Sequence, residues 1–297
     1  MKRTVLPLTV GLLALVAPIA HADLFTGFYD SQVMHRKMAG HLSKTKFPCP
    51  STGGSRTVYL YTPQGYSQSA AKHYPVLVLL HGEPGQPVDW IYKGEALTSV
   101  EKAISAGTLP PCLVAIPDGG GEWADSVSGN SKMESAVVHD LSQFLLNGYH
   151  ASPNPALWAV GGLSEGGFGA ANMVIHHPER FQSALVISTE LRVNPGWNDT
   201  NDVFGTDPKN RSYYSPIEQI RKVAAGERSK LHFYVAVGED EGGDRVSDSV
   251  GFGNIARAEG ATTVIAKDPG GHKWPFWTQH LRAALTPLAQ WWKQAGA

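Results

Sequence analysis

The sequence predicts an α/β fold with a mostly parallel central sheet and helices on both of its faces. Short apolar runs bounded by turn residues recur along the chain, as expected for strands buried on both faces. Segments with helical spacing separate these runs, which is the pattern of a parallel sheet. The 297 residues, of which 42% are hydrophobic and 17% charged, suffice for one large domain with a sizeable core.

The first 22 residues are typical of a secretory signal peptide. Two basic residues precede an uncharged apolar run from Val5 to Ile19, and Ala20-His21-Ala22 matches the small-x-small cleavage rule. Cleavage after Ala22 would leave Asp23 as the first residue of a single mature domain, 23–297. The run is shorter than the roughly 20 residues of a bilayer span, so an uncleaved anchor is the less favoured alternative. We therefore expect a secreted or periplasmic protein with no integral membrane span after cleavage.

Strand and helix patterns then alternate along the chain. Residues 23–55 form a polar lead-in with little periodicity. The predicted strands are Arg56–Thr62, Pro75–Leu80, Cys112–Ile116, Leu157–Val160, Ala184–Ser188, Leu231–Val237 and Thr262–Ala266. Helical spacing predicts Ala96–Ala106, Met133–Leu146, a helix that ends near His176, and a last helix from Trp274 to Lys293. Residues 189–230 carry no clear strand, and we interpret them as an insertion over the functional site.

Charge and cysteine content narrow the classes of function. The formal net charge of -1 gives no field that would attract a nucleic acid. The cysteines Cys49 and Cys112 form a disulfide or remain two separate thiols, and the sequence allows both. No H-E-x-x-H motif or paired His/Cys spacing is present, so we expect no metal site.

A candidate nucleophile lies in Gly162-Leu163-Ser164-Glu165-Gly166, which fits the pattern G-x-S-x-G. A buried strand precedes the motif and a helix of small residues follows it, which is the context of a nucleophile elbow. The strained turn leaves no room for side chains two residues either side of the serine, and glycine at 162 and 166 meets that demand. The alternative is an ordinary glycine-rich turn between a strand and a helix. We predict that Ser164 is the nucleophile.

A serine hydroxyl needs a base to remove its proton. His272 directly follows the last predicted strand, at the edge where parallel sheets place their sites, whereas most other histidines lie within predicted elements or the signal peptide. An acid that orients the base should follow the strand Leu231–Val237. Asp240 and Glu241 are the two candidates there and Asp244 is a weaker third, and the residues alone do not choose between them.

Two backbone amides are expected to form an oxyanion hole for the developing negative charge. One is the amide of Glu165, the residue after the nucleophile. The other belongs to the loop after Pro75–Leu80, where Glu83, or else Gly82, is the expected donor. We interpret His81 as a structural residue beside this hole.

The segments LLHGEPGQPVDW, GGLSEGGFGAANM, HHPERF and PGGHKWPFW resemble the esterase D / antigen 85 type of esterase, a group with feruloyl esterases, enterochelin esterases and mycolyltransferases. The resemblance extends over roughly residues 56 to 293. It implies the α/β-hydrolase fold, a Ser-His-acid triad and no cofactor. By position it supports Ser164, His272 and the amides of Glu83 and Glu165. Many members place the acid at the position of Glu241, although aspartate is commoner there, so Asp240 stays an alternative.

The function we expect is hydrolysis of a small-molecule or saccharide-linked carboxylic ester through an acyl-enzyme. The resemblance to mycolyltransferases makes acyl transfer to a sugar or other alcohol the nearest alternative. A third alternative is a non-catalytic binding protein that retains the fold. The signal peptide argues against the cytosolic S-formylglutathione hydrolase branch.

Overall fold

One eight-stranded sheet organises the computed structural model, which describes residues 29–68, 72–194, 196 and 200–297. The predicted signal peptide and its cleavage site lie outside the described residues. The strands are β1 (His41–Cys49), β2 (Gly54–Thr62), β3 (Val76–Leu80), β4 (Leu113–Pro117), β5 (Trp158–Leu163), β6 (Ser183–Ile187), β7 (His232–Gly238) and β8 (Thr262–Asp268). Their spatial order is β1-β2-β4-β3-β5-β6-β7-β8.

The sheet is mostly parallel, as predicted. β1 pairs with β2 and β2 with β4 in antiparallel fashion, and every other neighbouring pair is parallel. The carboxyl ends of β3, β5, β6, β7 and β8 therefore meet at one edge, where sites form in open α/β sheets. The predicted nucleophile, base and acid all follow strands of this group.

Helices cover both faces of the sheet. The α-helices are α1 (Pro87–Tyr92), α2 (Ala96–Ser105), α3 (Met133–Ser135), α4 (Ser142–Gly148), α5 (Glu165–His176), α6 (Asn201–Phe204), α7 (Pro208–Tyr213), α8 (Pro216–Gln219), α9 (Ala225–Arg228), α10 (Arg245–Ala258) and α11 (Trp274–Gln294). A π-helical segment, Ala136–Leu141, joins α3 to α4. Successive residues of β3 belong to two separate apolar cores, because strand side chains alternate between faces. Residues of α5 pack in one core and residues of α11 in the other.

Two segments differ from the sequence interpretation. The lead-in that we expected to lack periodicity contains β1, which pairs along its whole length with β2. Only Leu42, Phe47 and Cys49 of this edge strand are buried, and exposed lysines lie between them, so its apolar alternation is weak. The insertion 189–230 holds the four short helices α6 to α9 and no strand among its described residues.

The cysteines are both free and buried. Cys49 packs in the core on one side of the sheet and Cys112 in the core on the other side. A disulfide between them is therefore excluded, and of the two alternatives the separate thiols are correct. Among the described residues, no helix is both long and apolar enough to cross a membrane.

Candidate active site

Ser164 occupies the sharp turn between β5 and α5. Its backbone has φ 52° and ψ -125°, a conformation that non-glycine residues rarely adopt. Its amide donates to the carbonyl of Ile187 on β6 at 2.9 Å, which holds the turn against the sheet. The turn thus presents the serine at the carboxyl edge, as the elbow motif predicts.

The glycines of the motif meet a steric demand that the structure makes visible. A Cβ on Gly162 would lie 2.2 Å from the backbone carbon of Gly166. A Cβ on Gly166 would lie 2.3 Å from the carbonyl oxygen of Leu80. Both distances are far below van der Waals contact, so only glycine fits at these two positions while the turn keeps its shape.

His272 reaches Ser164 across 108 positions of sequence. Its Nε2 lies 3.1 Å from the Oγ of Ser164, and its Nδ1 lies 2.9 Å from Oε2 of Glu241. An ionised carboxylate only accepts hydrogen bonds, so Nδ1 is the donor and Nε2 is left to accept from the serine hydroxyl. The indole of Trp277 packs nearly perpendicular to the imidazole, with ring centroids 5.0 Å apart.

Glu241 places its carboxylate beneath the imidazole, where its side chain has no solvent exposure. Its second oxygen, Oε1, accepts hydrogen bonds from the Ser188 hydroxyl and from the Gly238 amide, the latter at 3.1 Å. Burial raises the pKa of Glu241, but hydrogen bonds from His272, Ser188 and Gly238 outweigh burial and hold the pKa below its ordinary value. The carboxylate is thus kept ionised and fixed in direction.

The other two acid candidates are placed differently. Asp240 and Asp244 are exposed, and no hydrogen bond in the described part of the chain joins either carboxylate to His272. Asp240 instead contributes its amide, which donates to the Gly270 carbonyl at 2.9 Å. A Cβ on Gly238 would lie 2.3 Å from that same carbonyl oxygen, so the two loops touch backbone to backbone.

Ser188 is a site residue that our sequence interpretation missed. It is fully buried, adopts φ 56°, and donates its hydroxyl to Glu241. A signal was present, since Ser188 is a polar residue at the carboxyl end of a predicted apolar strand. Its hydroxyl satisfies one of the buried carboxylate oxygens and fixes the direction of that carboxylate.

The residues expected to donate to an oxyanion lie beside Ser164. Glu165 is the first residue of α5, where an amide has no acceptor within the helix. Glu83 borders the cleft that contains Ser164 and Glu165, and neither Glu83 nor Glu165 donates its amide to another group in the described part of the chain. A Cβ on Gly82 would lie 2.9 Å from the Cβ of Ser164, so the loop backbone passes directly over this serine.

Two clefts meet at Ser164. One has a volume of about 240 Å³ and is lined by four glutamates, Glu83, Glu122, Glu165 and Glu190, together with Phe168, Thr189, Thr200 and Arg245. Thr200 belongs to the insertion 189–230, which thus reaches the site. The other cleft has a volume of about 350 Å³ and includes His272, Trp274 and Trp277. Within the described residues, no group of three or more His, Cys, Asp or Glu side chains is arranged to hold a metal ion.

Comparison with known proteins places this chain among esterases. Residues 49–288 match the sequence model of the family described as "Putative esterase". The chain is 28% identical over 260 residues to an uncharacterized protein of Corynebacterium glutamicum, covering 83% of this chain and 59% of that protein's length. It is 21% identical over 236 residues to an acetyl esterase of Caldicellulosiruptor saccharolyticus, covering 72% of this chain and 83% of the relative.

A solved structure of a ferulic acid esterase shares the fold. It superposes with a TM-score of 0.74 at 19% identity, covering 85% of this chain and 98% of that one. The strand order and the parallel pairing from β3 to β8 agree with the α/β-hydrolase architecture. Since the family match extends over most of its length, the chain belongs to this esterase family, and its fold is that of the α/β-hydrolases.

Proposed function

We propose that the protein hydrolyses a carboxylic ester through an acyl-enzyme formed on Ser164. One observation carries the proposal: an unbroken line of hydrogen bonds runs from the Ser164 hydroxyl through His272 to the ionised Glu241. In this line Ser164 is the nucleophile, His272 the general base and Glu241 the acid that orients the base.

Acylation begins when Ser164 Oγ attacks the ester carbonyl carbon and His272 Nε2 takes the hydroxyl proton. The carbonyl oxygen becomes an oxyanion, which accepts hydrogen bonds from the amides of Glu83 and Glu165, each worth about 3 kcal/mol in such sites. The C–O bond to the alcohol then breaks. The imidazolium donates its proton to the departing alkoxide, and the acyl group stays on Ser164.

Deacylation repeats the same proton transfers with water. His272 Nε2 removes a proton from a water molecule, whose oxygen attacks the acyl carbon. The second tetrahedral species collapses, the carboxylic acid leaves, and the proton returns to Ser164. The buried charge of Glu241 stabilises the imidazolium in both halves of the cycle, because burial weakens the screening of that charge by water.

The two clefts at Ser164 support a small or saccharide-linked ester as the substrate class. Both clefts include Ser164 and Glu83 in their walls, so one can hold the acyl group while the other holds the alcohol. Their walls offer carboxylates, hydroxyls and indoles. Such groups bind hydroxyl-bearing and aromatic ligands by hydrogen bonding and stacking.

The test compares the wild-type protein with Ser164→Ala on p-nitrophenyl esters of graded chain length, beside feruloyl and acetylated sugar esters. We expect the variant to keep the fold and to lose about 10⁴-fold or more in kcat. Wild-type protein should be labelled on Ser164 by a fluorophosphonate probe. Esterase activity retained in the variant would refute the assignment of the nucleophile, and an unlabelled, inactive wild type would favour a non-catalytic binding protein.

Acyl transfer is separated from hydrolysis by product analysis with and without an added sugar. Free carboxylic acid as the main product in both cases supports hydrolysis. A sugar ester that replaces the free acid when the sugar is present would instead establish a transferase.

We also propose that the protein is exported and that its signal peptide is cleaved after Ala22. The support is the basic, apolar and small-residue pattern of residues 1–22. Mass spectrometry of protein recovered from the periplasm or medium should identify Asp23 as the N-terminus. Protein that retains Met1 and stays in the cell would contradict this proposal.

A further inference from the structure

We propose that His81 is a positioning residue of the oxyanion hole, whose imidazole aims the amide of Glu83 at the ester oxygen. The inference rests on the proposed function, because an oxyanion forms only if Ser164 attacks a carbonyl. It gives a role to a buried histidine that the catalytic steps leave unused.

The contact that carries this inference joins neighbouring residues. His81 Nδ1 lies 3.1 Å from the carbonyl oxygen of Gly82. The peptide between Gly82 and Glu83 is trans, so its carbonyl and its N–H point in opposite directions within one plane. A group that fixes the Gly82 carbonyl therefore fixes the direction of the Glu83 N–H.

The protonation state of His81 follows from its neighbours. A carbonyl only accepts hydrogen bonds, so Nδ1 carries the proton and donates it to Gly82. The other nitrogen, Nε2, is buried and has no hydrogen-bond partner among the described residues. Burial lowers the pKa of His81, and the hydrogen bond with Gly82 opposes this effect without cancelling it. The ring is thus a neutral imidazole with a single N–H, and that N–H holds the loop.

The ring is itself held by the indole of Trp123. The two rings meet edge to face with centroids 5.1 Å apart, and Trp123 Nε1 donates to the His81 carbonyl at 2.9 Å. A Cβ on Gly169 of α5 would lie 2.4 Å from the Trp123 Cβ, so the base of this side chain packs directly on the helix. The amide next to Trp123 in sequence, that of Glu122, donates to the Glu165 carboxylate. One helix therefore supplies the Glu165 amide and supports the loop that supplies the Glu83 amide.

Gly85 closes the other side of this arrangement. A Cβ on Gly85 would lie 2.4 Å from the Gly82 carbonyl oxygen and 3.5 Å from His81 Nδ1. An alanine at 85 must displace the carbonyl that the imidazole holds. It therefore perturbs the same peptide while the side chains of His81, Ser164 and His272 stay unsubstituted.

The experiment compares four variants. His81→Leu keeps an apolar side chain of similar bulk but removes the donor, whereas His81→Asn places an amide N–H near the position of Nδ1. Gly85→Ala displaces the Gly82 carbonyl, and Gly226→Ala is its matched control, since a Cβ at 226 meets nothing within 4 Å. All are measured with p-nitrophenyl acetate and with a trifluoromethyl ketone, whose tetrahedral adduct on Ser164 carries an oxyanion.

We expect His81→Leu and Gly85→Ala to lower kcat by about 10- to 100-fold, below the full loss of one oxyanion donor, because the amide is misdirected and not removed. KM should change little, and affinity for the ketone should fall in parallel with kcat/KM. His81→Asn should recover most of the activity, and Gly226→Ala should match the wild type. A purely structural role would lower the melting temperature of His81→Leu and His81→Asn alike without this recovery.

Three results would overturn the inference: wild-type kcat in His81→Leu, no recovery in His81→Asn, or unchanged ketone affinity in the slow variants. If His81→Leu does not fold, Gly85→Ala against Gly226→Ala decides the question. Esterase activity that depends on Ser164 but not on His81 would refute the role of His81 and leave the proposed function in place. A wild type without esterase activity would remove the proposed function and this role with it.

Discussion

Replacing Glu241 by Gln should lower kcat/KM by about 500- to 10⁴-fold, because the amide forces the wrong tautomer on His272. Gln has the shape of Glu but offers one acceptor and one donor where the carboxylate offers two acceptors. Its two ends must face His272 on one side and Gly238 with Ser188 on the other. The size of the loss depends on which end faces the imidazole.

The backbone decides the orientation of the amide. The Gly238 N–H, 3.1 Å from Oε1, is a fixed donor and needs an acceptor there, whereas the Ser188 hydroxyl can rotate. Turning the NH₂ group toward Gly238 would leave a buried donor unpaired at a cost of about 1 to 3 kcal/mol. The NH₂ group therefore faces His272, whose Nδ1 must then accept. The remaining proton moves to Nε2, which can no longer accept from Ser164.

The magnitude follows from two factors. An orientation preference of about 1 to 3 kcal/mol leaves the productive tautomer at roughly a fifth to a hundredth of the population. Loss of the negative charge beside the imidazolium lowers kcat/KM by a further factor of about 10², since such a substitution in a triad costs about 10⁴-fold in total. The matched control is Asp240→Asn, which neutralises an exposed carboxylate one residue away and should leave kcat/KM within about twofold.

The assay measures kcat/KM for p-nitrophenyl acetate on both variants, with thermal melts to confirm the fold. Two outcomes would refute the reasoning: Glu241→Gln keeps more than about a tenth of the activity, or Asp240→Asn loses as much as Glu241→Gln.

Two further predictions concern the elbow and a buried carboxylate outside the site. Gly162→Ala, whose Cβ would lie 2.2 Å from Gly166, should reduce esterase activity by about 10²-fold or more, and unchanged activity with an unchanged melting temperature would contradict the steric argument. Burial raises the pKa of Glu134, but hydrogen bonds from His176 and His177 lower it to about 2, while Glu134 in turn raises the pKa of His177 against the effect of burial. The stability that Glu134 contributes is fully present above its ordinary pKa of 4.5 and is lost as the pH falls toward 2. The stability that His177 contributes is fully present below its ordinary pKa of 6.5 and is lost as the pH rises through its raised pKa. Glu134→Gln should therefore lower the free energy of unfolding most, by about 3 kcal/mol, at a pH between the ordinary pKa values of Glu134 and His177. Thermal melts over a range of pH measure this loss, and a loss that does not vary with pH would contradict the linkage.

Local rules set the features that the sequence indicates most directly. Buried strands show as apolar runs because both of their faces lack water. The elbow is recognisable in the sequence because its turn leaves no room for a side chain at Gly162 or Gly166. The position of His272 after the last strand follows from the common edge of parallel strands. Each of these signals needs only a few consecutive residues.

The residues near Asp240 and Glu241 in sequence do not determine which of the two carboxylates faces His272. Both follow the same strand, and their side chains diverge because of contacts made elsewhere. The Glu241 amide donates to the Gly238 carbonyl at 3.2 Å, which turns this residue back over its own strand. The Asp240 amide donates to the carbonyl of Gly270, which lies on a loop about thirty positions further along the chain. Only the packing of those two loops directs one carboxylate inward and leaves the other in solvent.

The sheet also explains why the proposed base and the proposed acid follow the strands that they do. β5, β6, β7 and β8 are adjacent, and each is followed at its carboxyl end by one member of the hydrogen-bonded group: Ser164, Ser188, Glu241 and His272. Strands β5 and β8 stand three spacings apart, about 14 Å, and the four residues from the end of β8 to His272 can span at most about 14 Å. The loop that carries His272 must therefore run back across the strand ends, over the loop that follows β7. A carboxylate buried in that loop lies directly beneath the imidazole, so the proposed acid follows β7. The glycine at 238 lets the two loops touch, because a Cβ there would lie 2.3 Å from the Gly270 carbonyl oxygen.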